Sequence, residues 1–318
     1  MTERIEIVFA TRGSKLAVAQ SQMVADQLMA RCPDIGVTLK VFSTQGDEIL
    51  DRPLRQVGGK GLFTKSIERA LLEGQADVAI HSLKDMETQP PHGLAVAAYP
   101  ARADVADVVV TRDGRAWQDL PDAAAIATGG LRRVAQLAGF FPNATAMPIR
   151  GNINSRLEKL DRGDFDAILL AAAGLERGGL AQRIGQGALP PQQFIPAPGQ
   201  GALAVQMAQE HPLLQRIAQA LDCATTRSCV TAERAFLAAL DGSCHTPIAA
   251  WAEPADRQLT LRGFVAPMHA DENTIPRIDA AAPVWRGQLS GELAAAKHLG
   301  QALAKKVRQE AAFLAGAA

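Results

Sequence analysis

Ile5-Glu6-Ile7-Val8-Phe9-Ala10-Thr11-Arg12-Gly13-Ser14-Lys15-Leu16-Ala17-Val18 runs from a strand pattern straight into a helix pattern. Residues 5–11 alternate in burial preference and are rich in β-formers, which predicts a strand. Ser14 is an N-cap residue, and the apolar spacing after it predicts a helix to about Arg31. A second strand is expected at 37–43. This is the start of an α/β unit, and the same rhythm repeats along most of the chain.

Residues 44–61 are polar and hold Gly46, Pro53, Gly58, Gly59 and Gly61, so a long mobile loop is expected there. A helix at 62–73 and a buried strand at 76–81 follow. Pro90, Pro91 and Gly93 punctuate the chain before a strand at 94–98. The rhythm then restarts, with strands at 105–111, 124–128, 144–149 and 165–172 and helices at 131–139, 153–160 and 175–184. A Pro/Gly linker at 190–201 leads to a strand at 202–207 and a helix at 212–221, a pair able to return to the first lobe. Beyond Cys223 the order changes. A helix at 230–240 precedes short strands at 248–252, 259–265 and 284–289, and an amphipathic helix from about 292 to 313 ends an α+β module. The domains expected are therefore 1–100 plus 201–221, 101–200, and 222–318.

Bulk properties narrow the function. The 318 residues carry 33 Lys plus Arg against 33 Asp plus Glu, so the chain has no basic excess to bind nucleic acid non-specifically. The basic residues are 24 Arg and 9 Lys. Arg presents a planar fork that grips carboxylates through paired hydrogen bonds. No apolar run approaches a membrane span, and the N-terminus has no secretory pattern. The cysteines, at 32, 223, 229 and 244, form no C-x-x-C pair, so no metal is expected and a cytoplasmic chain with reduced thiols fits.

The residues with chemical potential fall where strands give way to helices, the position at which open α/β sheets bind ligands. Arg12 and Ser14 follow the first strand. His81-Ser82-Leu83-Lys84-Asp85 follows another, and one short turn there offers a hydroxyl, a cation and a carboxylate. His81 reads as a packed strand residue. Thr128-Gly129-Gly130-Leu131-Arg132-Arg133 places two arginines in a first helical turn, where they oppose the dipole, a cost that a bound anion would repair. Arg150 with Arg156, and then Arg177, repeat the arrangement. Several such arginines suit a polyanion. Near the C-terminal module, Gly242 is expected to end a helix in the left-handed conformation, leaving Cys244 on an accessible loop, while Cys223 and Cys229 are expected to be packed.

Taken in order, T-R-x-S, H-S-x-K-D, L-R-R, R-G-N…R-L, A-G-L-x-R, P-A-x-G-Q-G-A and the run from Glu233 to Ala249 resemble the porphobilinogen deaminase (hydroxymethylbilane synthase) family over nearly the whole chain. The resemblance implies two similar periplasmic-binding-protein-like lobes and a smaller α+β C-terminal domain. It implies a dipyrromethane cofactor joined through a thioether to Cys244, with Asp85 as catalytic acid. Four porphobilinogen molecules would be condensed to linear hydroxymethylbilane with loss of ammonia. Substrate and cofactor carboxylates would meet Arg12, Ser14, Lys84, Arg132, Arg133, Arg150, Arg156 and Arg177. Ser82, Thr128 and Gln200 occupy matching polar positions, and Phe63 would pack beside a pyrrole ring. A monomer is expected. This chain departs from the family pattern at Gly129 and Gly130, where hydroxyls are usual, at Gln45 and Gln56, where basic residues are frequent, and at Ser243, where glycine is usual. A bilobal anion-binding protein and a relative without activity are the competing readings. A pyrrole mass on Cys244 would separate them from the enzyme.

Overall fold

The computed structural model describes residues 4–44, 46, 61–243, 246–267 and 283–311. Most of the expected 44–61 loop, together with Cys244, lies outside the described residues. The described residues up to Ala103, together with Gly201–Arg227, form one compact unit. Asp104–Gln200 and the described residues from Ser228 onward form another.

The first unit is built on a five-stranded sheet. Strands β1 (Ile5–Arg12), β2 (Ile35–Phe42), β3 (Val78–Ser82) and β4 (Leu94–Ala98) are joined by β9 (Leu203–Ala208) in the order β2-β1-β3-β9-β4. β1 pairs in parallel with β2 and β3, whereas β9 runs antiparallel between β3 and β4. Helix α1 (Lys15–Arg31) starts at Ser14, whose Oγ accepts from the Ala17 N–H at 3.3 Å. Its face with Val24, Ala25 and Leu28 is fully buried with Phe9, Val78 and Val205. Burying side chains of this size contributes about 1.5–3 kcal/mol each. Helix α2 (Lys65–Leu72) packs Ile67 and Leu71 with Ala10 and Leu94 in a separate cluster.

The second unit holds a four-stranded sheet of β5 (Asp107–Thr111), β6 (Ala125–Ala127), β7 (Thr145–Met147) and β8 (Ala167–Ala171), in the order β5-β8-β6-β7. β6 is parallel to β7 and β8, and β5 is antiparallel to β8. Strand for strand this repeats the first sheet, with β6, β7, β8 and β5 standing where β1, β2, β3 and β9 stand. The expected pair of similar α/β lobes is thus found. Helices α3 (Leu131–Leu137), α4 (Ile153–Asp161) and α5 (Ala172–Arg177) follow the three parallel strands. α5 is much shorter than the helix expected over 175–184. Gly178 caps it, Gly179 takes φ +71°, and only a 3₁₀ turn, Ala181–Arg183, follows.

In the same unit, an antiparallel meander of β10 (Ile248–Ala255), β11 (Gln258–Val265) and β12 (Trp285–Glu292) packs on helices α7 (Ala224–Ala239) and α8 (Ala296–Glu310). Phe236, Leu261, Trp285 and Leu303 belong to this core. β12 extends to Glu292, paired with Gln258, so α8 begins later than the sequence pattern places it. Ile195 of the linker packs with Trp251 and Phe264, and the Ala250 N–H donates to the Pro196 carbonyl at 3.1 Å. Helix α6 (Leu214–Leu221) returns to the first unit, where Ile217 and Leu221 join the α1 core.

Candidate active site

Because β1 and β3 are parallel neighbours, Arg12 and Ser82 leave the first sheet at the same, carboxyl edge. The Arg12 guanidinium lies over the Phe63 ring, 4.1 Å from its centroid, a cation–π contact that orients both groups. The Gly46 N–H donates to the Leu62 carbonyl at 3.0 Å, and a Cβ on Gly46 would overlap the Phe63 ring, so close approach requires glycine there. After Ser82 the chain makes one 3₁₀ turn, Leu83–Asp85. Leu83 is fully buried and its N–H donates to the Ala202 carbonyl at 3.1 Å, which anchors the turn. Lys84 and Asp85 on either side of that anchor are half-exposed. Among the described residues Asp85 makes no hydrogen bond or ion pair, so its carboxylate is available to a ligand. The Ser82 hydroxyl donates to Gln20 Oε1 at 3.2 Å.

His81 is buried, as expected for a packed strand residue. Desolvation pushes its pKa down to about 4, against the opposing pull of the Gln206 side chain, and the Arg12 charge adds to the lowering. His81 is therefore neutral at physiological pH. Buried Glu68 bridges Gln206 (3.3 Å) and the Thr64 hydroxyl (3.2 Å) in the same unit.

The second sheet presents its residues the same way. Thr128 follows β6, Arg150 and Arg156 follow β7, and Arg177 ends the helix after β8. Burial lowers the pKa of Arg150, and burial also lowers that of Arg177, where Glu176 opposes it. The Arg156 Nε–H donates to the Gly151 carbonyl at 2.8 Å, and Asn152 caps α4 by accepting from the Ser155 N–H. Gln200 is fully buried and its amide donates to the Val105 carbonyl at 2.8 Å.

Arg132 and Arg133 already meet one carboxylate within the protein. Two arginines in a first helical turn oppose the helix dipole, which is why a bound anion is expected there. The structure places Asp107 between them. Asp107 Oδ2 accepts from Arg132 Nη1 at 2.8 Å, and Oδ1 accepts from Arg133 Nε at 2.8 Å. One anion at this turn is thus the protein's own. Asp107 is the first residue of β5, opposite Ala171 of antiparallel β8, so it too lies at the carboxyl edge. The sequence signal for it was an acid heading the apolar run Val108-Val109-Val110.

Near Cys244, α7 ends in a Schellman motif. The Asp241 N–H donates to the Ala238 carbonyl (3.1 Å) and the Gly242 N–H to the Leu237 carbonyl (3.0 Å). The left-handed residue is Asp241, at φ +53°, and not Gly242. Aspartate tolerates that conformation. Gly242 serves close packing instead, since a Cβ there would stand 2.5 Å from Leu237 Cδ1 and 2.7 Å from Ile248 Cδ1. Ser243 and Thr246, which flank 244–245, bond each other. The Thr246 hydroxyl donates to the Ser243 carbonyl at 2.7 Å and accepts from its N–H at 3.0 Å. Of the other cysteines, Cys32 and Cys229 are buried. Cys223 is only half-buried, and the Thr226 hydroxyl draws its thiol pKa down. Among the described residues no cluster of His, Cys, Asp and Glu could hold a metal ion, and no helix is long and apolar enough to cross a membrane.

Residues 7–216 match the family model described as porphobilinogen deaminase, dipyrromethane cofactor binding domain, and residues 227–309 match that of the porphobilinogen deaminase C-terminal domain. The chain belongs to the porphobilinogen deaminase family. The Chromobacterium violaceum porphobilinogen deaminase is 43% identical over 302 residues, covering 95% of this chain and 94% of its own length. The Xylella fastidiosa porphobilinogen deaminase is 48% identical over 258 residues, covering 80% and 84%. Among solved structures, a Salmonella typhimurium periplasmic binding protein with high arginine specificity aligns with 68% of this chain and 91% of its own, at 15% identity and a TM-score of 0.41. The segment 7–216 is accordingly a dipyrromethane cofactor-binding domain.

Proposed function

We infer that this chain condenses porphobilinogen head to tail, four molecules to each linear hydroxymethylbilane, releasing ammonia at every addition and consuming one water to hydrolyse the finished chain from the cofactor. Asp85 carries the reading. Its carboxylate stands half-exposed at a sheet edge, on a turn anchored by a buried leucine, and is uncommitted among the described residues. Loss of ammonia from porphobilinogen leaves a cationic azafulvene. A fixed carboxylate beside it offsets that charge and can take the proton the joined ring loses, and in its protonated form the same group can give a proton to the departing amine.

The donor set suits a dipyrromethane. Each pyrrole of this kind carries two carboxylates, and Arg150 and Arg177 are partly desolvated cations that an incoming carboxylate would stabilise. When bound, the group supplies the terminal pyrrole carbon to which the incoming ring is joined. Arg12, Ser14, Lys84, Arg132, Arg133, Arg150, Arg156 and Arg177 would hold acetate and propionate groups, with Ser82, Thr128 and Gln200 adding polar contacts. Phe63, already stacked under Arg12, would present its ring edge to a pyrrole. Cys244 would anchor the cofactor by a thioether. A cytoplasmic monomer is the expected working form. Intact-mass measurement tests this directly. Freshly purified protein should carry an added dipyrromethane mass that Cys244→Ser lacks, and a bare wild-type thiol in active protein would contradict the anchor.

A further inference from the structure

Asp107 is fully buried, yet its two oxygens serve two guanidinium groups. Oδ2 accepts from Arg132 Nη1 at 2.8 Å. Oδ1 accepts from Arg132 Nη2 at 3.2 Å and from Arg133 Nε at 2.8 Å, and it is ion-paired with Arg133 Nη2 at 2.7 Å. Backbone carbonyls complete the cradle. Ile195 O accepts from Arg132 Nη1 at 2.8 Å, and Leu169 O accepts from Arg133 Nη1 at 2.9 Å. Gln136 locks Ile195 in turn, accepting from its N–H at 2.8 Å and donating to its carbonyl at 2.9 Å. The arginine side chains are only 9% and 10% exposed, and these bonds fix both guanidinium planes.

The charges do not cancel. One carboxylate against two guanidinium groups leaves a net charge of +1. A core built for stability alone gains little from a buried ion pair and nothing from a second cation beside the first. Burial pushes the Arg132 pKa down, Asp107 pulls it back, and Arg133 pushes it down again. The surplus charge has a use if an external carboxylate completes the set.

We propose that Asp107 is a positioning residue of the reaction: it orients Arg132 and Arg133 at the carboxyl edge of the second sheet and leaves that turn one net positive charge, matched to a single substrate carboxylate. The proposal rests on the condensation reading above and deepens it. Two variants of the cofactor-loaded enzyme test it. Asp107→Glu keeps the charge but moves the carboxylate by one methylene. KM for porphobilinogen should rise about tenfold, with kcat changing far less. Asp107→Asn keeps the shape but raises the turn's charge by one, so KM should depend more steeply on salt than in wild type. If Asp107→Asn does not fold, Asp107→Asn with Arg133→Gln restores the net +1. That pair should fold, with a raised KM and the wild-type salt dependence. Variants that lose thermal stability but keep wild-type KM and salt dependence would reduce Asp107 to a structural residue and overturn the proposal. If wild-type protein does not turn over porphobilinogen at all, the functional reading falls first, which is a different result.

Discussion

Replacing Gly130 by serine should tighten the grip on substrate about tenfold. Gly130 is the N-cap of α3, at φ −106° and ψ 123°, a conformation serine adopts freely. A Cβ built there meets nothing within 4 Å, so the side chain enters open space. Its oxygen can cap the helix, a gain of a few tenths of a kcal/mol over glycine, while its O–H stays free to donate to a carboxylate. A hydrogen bond to a charged group contributes about 1.5–3 kcal/mol, and water already supplies part of it in the native protein. The net falls near the low end, where about 1.4 kcal/mol is a factor of ten. A carboxylate far from the reacting carbon is held equally in the ground and transition states, so KM should fall and kcat should hardly move. Gly129 gives the control. A Cβ there lies 3.1 Å from the Ile149 carbonyl oxygen, which is backbone and cannot swing aside, so Gly129→Ser should lower Tm and displace neighbouring Arg150. The double variant should therefore bind less well than Gly130→Ser alone. Steady-state kinetics on porphobilinogen, with thermal melts, read all three. If Gly130→Ser melts slightly higher but keeps wild-type KM, the turn does not contact substrate and the hydroxyl serves only as a cap.

Asp85→Asn should retain substrate but lose nearly all turnover, since an amide neither carries the proton nor offsets the cation. Stalled enzyme–pyrrole species should then appear by mass, and normal turnover would remove Asp85 from the catalytic role. Cys244→Ser should fold normally yet carry no cofactor, because a hydroxyl is a poorer nucleophile than a thiolate; wild-type rates in that variant would refute the anchor. Stability should depend on pH through His81, whose pKa falls from 6.5 unfolded to about 4 folded. Between those values the unfolded chain binds the extra proton, so this contribution is complete above pH 6.5 and is lost as pH falls toward 4, amounting to about 3 kcal/mol. Urea midpoints for wild type and His81→Gln across pH 4–7 should show a shallower acid decline in the variant, and parallel curves would show that His81 is not the titrating group.

Much of the fold was legible because alternation and helical spacing are local signals. The strand at 94–98 was placed to the residue, and Ser14 marked the start of α1. The two-lobe architecture follows from the strand–helix rhythm, which restarts after residue 100. What stayed hidden depends on contacts distant in sequence. Asp107 meets Arg132 only because antiparallel β5 begins at the edge where the parallel strands end. Sequence points to Gly242 for the left-handed cap because glycine is the stronger statistical signal, whereas Asp241 takes that conformation and packing against Leu237 and Ile248 explains the glycine. α5 was overextended because apolar spacing continues past the Gly178-Gly179 break.

The stoichiometry of one reaction decides whether this chain builds a tetrapyrrole. Purified protein is incubated with porphobilinogen, and released ammonia and linear tetrapyrrole are measured together. Four ammonia molecules should appear for each hydroxymethylbilane, with both products abolished in Asp85→Asn. Binding of porphobilinogen without ammonia release, or release without a tetrapyrrole, would contradict the condensation reading.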